Sequence, residues 1–469
     1  MGKLLIILAL AMTIPLAFAI FYGEKDLFSF IFSQGIILFF FLIIKPFNSD
    51  TDKNLGYKEG LVVVSLGWII ISLFGAIPYI LTGSIIQPLN AFFESVSGFT
   101  TTGASVIKRT EYLSKSILIW RSLTHWLGGM GIIVMAIAIL PELTGSNHLF
   151  YSEVTGPLPQ NIKPGIRETA RTIMYIYICL TILEFFLLIS RGMSSFLALV
   201  YSFSTISTGG FAANYLSIGG FEDQYIRLII ILFMFLGGMN FALIYKVFQG
   251  KILYIFKDEE FRFYCFILFT AIILISLNLK NQLYNDLFPS IKESIFQVIS
   301  IATTTGFFTS NFDIWPPLSK WILFVLMFVG GCAGSTAGGI KVVRIKALLK
   351  ICKKVFQKIL DPEKINYIRF NNTELNTGII NSILSFFFLY IILFVVSVTI
   401  ITAQGTDIIS SISAVAASLG NVGPALNLAG PLNTYLNFNP ISRFVLIICM
   451  LLGRLEIYTV LAFIWLDWR

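Results

Sequence analysis

Thr100-Thr101-Thr102-Gly103 is a short polar run between apolar segments, and it returns. Thr303-Thr304-Thr305-Gly306 repeats it letter for letter. Ser207-Thr208-Gly209-Gly210 is a looser copy, and Gly420-Asn421-Val422-Gly423 a more distant one. Each copy follows an apolar run too brief to span a bilayer and precedes one long enough to do so. Four polar, glycine-ended loops at membrane depth predict one pore lined by four strips of backbone.

Two columns of small residues support the alignment. With Gly103, Gly210, Gly306 and Gly423 in register, Ser97, Ser204, Ser300 and Ala417 fall together upstream. Downstream, Leu127-Gly128-Gly129-Met130 matches Leu236-Gly237-Gly238-Met239, with Gly330-Gly331 and Gly453-Arg454 in the same place. Internal repetition of this kind defines an architecture before any single element does.

Composition agrees. The chain has 469 residues, 56% hydrophobic and 12% charged, with mean hydropathy +0.84. That is more apolar surface than a soluble domain can bury, and it marks a polytopic membrane protein. The net charge of +8 reads as basic cytosolic loops rather than as nucleic-acid binding. Cys179, Cys265, Cys332, Cys352 and Cys449 are odd in number and have neither zinc nor disulfide spacing. His125 and His148 offer little for metal or acid–base chemistry.

In chain order, Leu4–Tyr22 and Leu27–Ile44 form a first pair of spans. Ala17-Phe18-Ala19 imitates a signal cleavage site, but apolar character resumes at Leu27, so the first helix is read as retained. Four units of span, short helix, polar loop and span follow. The short helices are expected at Pro88–Gly98, Met193–Ile206, Ile291–Ala302 and Asp407–Leu419, with Tyr225–Phe248 and Arg443–Trp468 among the spans. The expected divisions are a hairpin at 1–58 and repeats at 59–150, 151–260, 261–370 and 371–469. The fold class is thus an all-α polytopic membrane protein, an N-terminal two-helix hairpin plus four pseudo-fourfold repeats around one central pore.

Lys341, Arg344, Lys346, Lys350, Lys353, Lys354 and Lys358 cluster after the third unit and place that face in the cytosol. Alternation then puts Lys45–Glu59, Pro141–Arg171, Gln249–Arg262 and both termini inside, and all four loops enter from outside.

The chemistry expected of the loops is that of a cation filter. Irregular backbone survives in hydrocarbon only where it lines a water or ion path. Carbonyl rings can replace a hydration shell, threonine adds a hydroxyl, and glycine permits the φ values that aim successive carbonyls at one axis. The short helices point their partially negative C-terminal ends inward, which favours a cation below. The expected ligands are Thr100, Thr101, Thr102, Gly103, Ser207, Thr208, Gly209, Gly210, Thr303, Thr304, Thr305, Gly306, Gly420, Asn421, Val422 and Gly423. Glu94 is an intramembrane carboxylate that either orients the first loop or reaches the outer water.

These loops, with Gly330-Gly331-Cys332-Ala333-Gly334-Ser335-Thr336-Ala337-Gly338-Gly339-Ile340-Lys341, resemble the Trk/Ktr/HKT superfamily of potassium uptake proteins, in its bacterial TrkH-like branch. The resemblance covers nearly the whole chain, including the first hairpin. It implies potassium as the transported ion, because a filter glycine in all four loops goes with potassium, and serine in the first goes with sodium. It implies that 330–340 is an intramembrane gate beneath the filter, with Gly330, Gly331, Gly334, Ser335, Thr336, Gly338, Gly339 and Lys341 in it. Arg454 would bar the path nearby; the other reading of Arg454 is a structural pair with Glu456. It also implies a homodimer in the bacterial cytoplasmic membrane, resting on a separate RCK-type nucleotide-binding ring, with no nucleotide bound by this chain and no nucleic acid. The basic helix Lys341–Lys358 would meet either that ring or anionic membrane lipid.

Gly334–Lys341 imitates a phosphate-binding loop, but Ile340 separates Gly339 from Lys341 and Val342 stands where Ser or Thr is needed. A sodium- or proton-coupled symporter needs a second site, and the sequence has no clear intramembrane carboxylate pair. A membrane enzyme needs clustered Asp, Glu or His at a membrane face, and none stands out.

Overall fold

A computed structural model describes residues 2–45, 57–139, 166–362, 367–371, 373–455 and 457–458. Most of Lys45–Glu59 and Pro141–Arg171, Glu456, and the end of the last expected span lie outside these residues.

The first expected span is two helices, α1 (Gly2–Ala11) and α2 (Thr13–Tyr22), and α3 (Leu27–Ile44) returns beside them. The turn between α2 and α3 has a structural task. The Glu24 carboxylate accepts from the Lys115 and Ser116 amides at 2.7 and 3.0 Å. It thereby caps α6 (Lys115–Ile139), whose first amides have no helical partner.

The first unit is α4 (Tyr57–Leu81), α5 (Pro88–Phe99) and α6. The second is α7 (Ile166–Ser190), α8 (Ser195–Ile206), α9 (Gln224–Gly237) and α10 (Phe241–Phe248), with α11 (Leu253–Lys257) after it. The third is α12 (Glu259–Leu279), α13 (Leu287–Ala302), α14 (Pro317–Val329) and α15 (Val342–Leu360); the fourth is α16 (Thr377–Ala403), α17 (Ile408–Leu419) and α18 (Pro440–Arg454). A two-residue antiparallel hairpin, Arg369–Phe370 with Thr373–Glu374, separates the last two.

Among the described residues six helices are long and apolar enough to cross a membrane, or seven if the bent pair α9–α10 is one span. The protein is a multi-pass membrane protein. Its outer helices leave Phe28, Phe32, Phe388 and Val395 exposed, as a hydrocarbon solvent permits, while the C-terminal halves of α5, α8, α13 and α17 are buried.

Two expectations need correction. Tyr225–Phe248 is not one straight span: α9 and α10 meet at 108°. Gly238 ends α9, and Asn240 starts α10 by accepting from the Ala242 amide at 2.8 Å, so a side-chain cap outcompetes an apolar run. The third short helix starts at Leu287 rather than Ile291, because residues 287–290 already join its first turn.

The downstream glycine column has a steric cause. A Cβ on Gly128 would lie 1.9 Å from the Phe99 carbonyl oxygen, and one on Gly453 2.2 Å from that of Leu419. A Cβ on Gly129 would meet Ser207, and one on Gly238 would meet Thr303. The second helix of a unit thus touches the end of its own short helix and the start of the next loop, where only a hydrogen fits.

Gly128→Ala should therefore destabilise the protein by about 1–3 kcal/mol or prevent folding. Gly35→Ala, where nothing lies within 4 Å, should be neutral or stabilising. Thermal unfolding in detergent checks the pair; equal melting of both variants would remove the steric reading.

Candidate functional site

The four loops begin as helix C-terminal caps of one type. The Thr102, Gly209, Thr305 and Val422 amides donate to the carbonyls of Ser97, Ser204, Ser300 and Ala417 at 2.8–2.9 Å. The preceding residue in each loop donates to Gly98, Thr205, Ile301 and Ser418 respectively. This is the Schellman pattern, in which the residue past the cap is left-handed and usually glycine. Here it is Thr101, Thr208, Thr304 and Asn421, with φ of 54°, 54°, 57° and 54°. Three are β-branched, for which a positive φ is strained; asparagine tolerates it better, which suits the fourth loop. The small upstream column is the set of acceptors for this cap.

Two residues on, Gly103, Gly210, Gly306 and Gly423 are again left-handed, at φ 77°, 79°, 79° and 97°. The missing side chains all point at a neighbour. A Cβ on Gly103 would sit 2.1 Å from the Gly209 oxygen, one on Gly210 2.0 Å from that of Thr305, and one on Gly306 2.1 Å from that of Val422. One on Gly423 would sit 2.5 Å from the Thr102 oxygen. The contacts run first to second, second to third, third to fourth, and back to first, so the loops close a ring. All four glycines line one cavity of about 100 Å³, with Ser105, Ala212, Phe308 and Pro424 from the chain just beyond them.

The hydroxyls are largely committed elsewhere. Thr100 and Thr303 donate to Val96 and Ile299, each at 2.7 Å, and pair with Thr102 and Thr305 at 2.7 and 2.8 Å. Ser207 donates to Phe203 and Thr208 to Ser207. Thr102 also accepts from the Asn421 amide group at 3.0 Å. The threonines mainly stiffen the loops, leaving the backbone as the common set of oxygens.

Behind the first loop, Glu94 is fully buried and pairs with Arg121 at 2.8 Å. Its carboxylate also accepts from the Ser105 hydroxyl and the Val106 amide, both at 2.9 Å at closest. Glu94 therefore orients the chain leaving Gly103 rather than reaching water. Arg121 extends to the Ala212 carbonyl at 3.3 Å and lies over the Phe211 ring at 4.1 Å, tying the first unit to the second. His125 is a core residue: its Nδ1 donates to the Gly98 carbonyl at 2.7 Å, and its ring stacks on Phe211, while its buried Nε2 has no hydrogen-bond partner among the described residues.

Residues 330–341 form a closed excursion from the end of α14. Ile340, Lys341 and Val342 donate back to Phe328, Val329 and Gly331 at 3.0–3.1 Å. The Thr336 hydroxyl donates to Ile206 and Gly237 at 2.9 and 3.0 Å, at the ends of α8 and α9. The Gly338 amide donates to the Thr304 hydroxyl at 2.8 Å, and a Cβ on Gly338 would meet the Gly420 oxygen at 2.5 Å. Gly330, Gly334 and Gly339 are left-handed, and Gly331 packs on Ala337 and Gly238. Ser335 donates to Cys332, and the Lys341 ammonium reaches the Ala337 carbonyl. Arg454 donates to the Thr336 carbonyl at 2.7 Å and to Gly128 at 3.0 Å. The segment is thus brought against the second, third and fourth loops and Arg454; Glu456, the alternative partner, lies outside the described residues.

Three participants went unnoticed in the sequence. Arg121 had a signal, a lone arginine in an apolar span, and it is the partner Glu94 needs. Asn240 and Glu260 had none: Glu260 accepts from the Ala333 amide at 2.6 Å but reads as one more acid after Asp258 and Glu259.

Comparison with known proteins gives a consistent answer. A family model described as TrkH, cation transport protein, matches residues 28–466. The Trk system potassium uptake protein TrkH of Halomonas elongata is 36% identical over 466 residues, covering 98% of this chain and 96% of that one. That of Escherichia coli K12 is 38% identical over 420 residues, covering 88% and 86%. The crystal structure of the potassium transporter TrkH from Vibrio parahaemolyticus superposes with a TM-score of 0.90 at 35% identity, over 100% of this chain and 98% of that one.

Removing one member of a buried ion pair leaves an uncompensated charge, so Glu94→Gln should cost about 3–5 kcal/mol. Adding Arg121→Met should restore part of it. A double-mutant cycle by thermal unfolding reads the coupling; a single variant as stable as the parent would show the pair to be dispensable.

Proposed function

The chain belongs to the TrkH family of cation transport proteins, a family of transporters rather than enzymes, and from that premise we propose that it takes up potassium through the ring of four loops. The observation that carries this is the closed sequence of glycine-to-carbonyl contacts. Backbone that alternates between right- and left-handed residues turns successive carbonyls to one side, and a ring of them replaces the water of a bare cation. The ends of the four short helices add negative potential beneath. Entry is driven by membrane potential, worth about 2.3 kcal/mol per charge at 100 mV. The basic α15 faces the cytosol, both termini lie inside, and the loops open outward.

Residues 330–341 act as the gate in this reading, and Arg454 holds it shut through the Thr336 carbonyl. The support is position: the loop touches the second, third and fourth units and has its backbone tied internally. A homodimer and a cytosolic RCK-type ring, contacting α15, would supply regulation. The names of the relatives, which speak of a Trk system, suit a transport subunit that works with partners.

Coupling to a sodium or proton gradient has one residue in its favour. Glu184, in α7, is fully buried with neither carboxyl oxygen hydrogen-bonded among the described residues. Flux into liposomes with and without each gradient separates the readings: at fixed potential and potassium gradient, a channel does not respond to an added sodium or proton gradient.

Two variants test the pathway. Gly103→Ser puts a side chain against the Gly209 oxygen at a left-handed position. It should admit sodium in a rubidium–sodium flux assay, whereas an unchanged ion ratio would remove Gly103 from the filter. Deleting Gly334–Gly338 should raise basal rubidium flux several-fold; flux that falls or stays level defeats the gate.

A further inference from the structure

Between α9 and α13 lies a cleft of about 230 Å³ that none of the filter or loop chemistry uses. Its walls are apolar: Leu228 and Ile231 from α9 face Ile295 and Phe296 from α13. At its rim Leu228 is 58% and Phe288 74% exposed, so the cleft opens where the outer helices meet lipid. An apolar hollow beside hydrocarbon fills with it, since neither water nor vacuum competes for such a surface.

The same cleft is lined by Arg227, Lys292 and Glu293, near the outer ends of their helices. Arg227 is held rigidly: its guanidinium donates to the Phe221 carbonyl at 3.0 and 2.8 Å and to Gly219 at 3.4 Å. Its remaining nitrogen is 3.9 Å from Glu293, a loose pair. Glu293 is engaged on its other oxygen by the Thr309 hydroxyl at 2.5 Å. Lys292 makes no ion pair among the described residues. Two cations and one already shared carboxylate leave a single net positive charge at the mouth of an apolar groove. That combination selects an amphiphile with an anionic head, and basic pockets between membrane helices bind such headgroups.

We propose that this cleft binds one anionic phospholipid, its phosphate between Arg227 and Lys292 and one acyl chain along Leu228, Ile231 and Ile295. The leaflet is the one from which the loops enter; that assignment rests on the orientation given under the proposed function, whereas the site does not. The bound lipid stands next to the third loop. Thr309 lies three residues past Gly306, and the Gly219 amide, beside the Arg227 anchor, donates to Phe308 at 3.1 Å. The headgroup thereby braces the chain leaving the third filter glycine.

The test is native mass spectrometry of the full-length protein in detergent, titrated with dioleoyl phosphatidylglycerol or dioleoyl phosphatidylcholine. Lys292→Glu reverses the headgroup charge without touching the Arg227 anchor, and Ile231→Trp fills the acyl groove. The parent should retain one phosphatidylglycerol in preference to phosphatidylcholine, and each variant should hold it roughly tenfold less tightly. Melting temperatures and size-exclusion profiles of both variants verify folding, and Leu232→Trp, on the exposed face of α9, serves as a folded control. Equal retention by parent and variants overturns the proposal. So does phosphatidylcholine binding as well as phosphatidylglycerol, or displacement by inorganic phosphate. The readout needs no transport, so failure here leaves the flux experiments intact, and failure there leaves this site standing.

Discussion

The structure depends on a contact with no room in it. Four carbonyl oxygens lie where the side chains of Gly103, Gly210, Gly306 and Gly423 would be, each from the neighbouring loop. A ring that tight can close only if all four loops share one backbone path. They do, to the level of the same two cap hydrogen bonds and the same two left-handed positions. Threonine at the first of those positions is strained by its branched Cβ, and the surroundings hold it there. The buried Glu94–Arg121 pair, the threonine–threonine pairs and the amide-capped helix ends all serve this closure. The helices outside the ring are held to fewer constraints and look it: they carry lipid-tolerant residues in little pattern.

What could be read in the chain follows from what repetition exposes. The four loops, the choice of Gly210 over Gly209, and both small-residue columns were legible because a steric requirement met four times leaves four matching letters. The fold class was legible because hydropathy alone fixes which segments can lie in a bilayer. The bend between α9 and α10 was hidden, because Gly238 and Asn240 interrupt an apolar run too briefly to register. The bonds that the loop hydroxyls make were not legible either. Hydroxyls at the end of a helix have carbonyls one turn back within reach, and Thr100, Ser207 and Thr303 took them.

Partners chosen by tertiary structure left almost no trace. Glu94 was visible as a charge in an apolar stretch, but the residue it pairs with is 27 positions away on another helix. Glu260 supports Ala333 across 73 positions. The N-terminal hairpin, which looks like an appendage in the sequence, is fastened to the first unit by Glu24 at the head of α6. No periodicity announces such a cap, since it depends on where a turn falls in space.

The amide of Gly338 bonded to the hydroxyl of Thr304 joins floor to ceiling. Thr304 is one of the strained left-handed residues, so a prop beneath it helps keep it there. Any motion that draws 330–341 aside withdraws that hydroxyl bond from the third loop alone, since the segment's contacts at the second and fourth are of other kinds and the first has none of them. If 330–341 is the gate proposed above, the ring would lose its symmetry as the gate opens. Discrimination among ions and the width of the opening would in that case be two faces of one deformation, and evolution could not tune either alone.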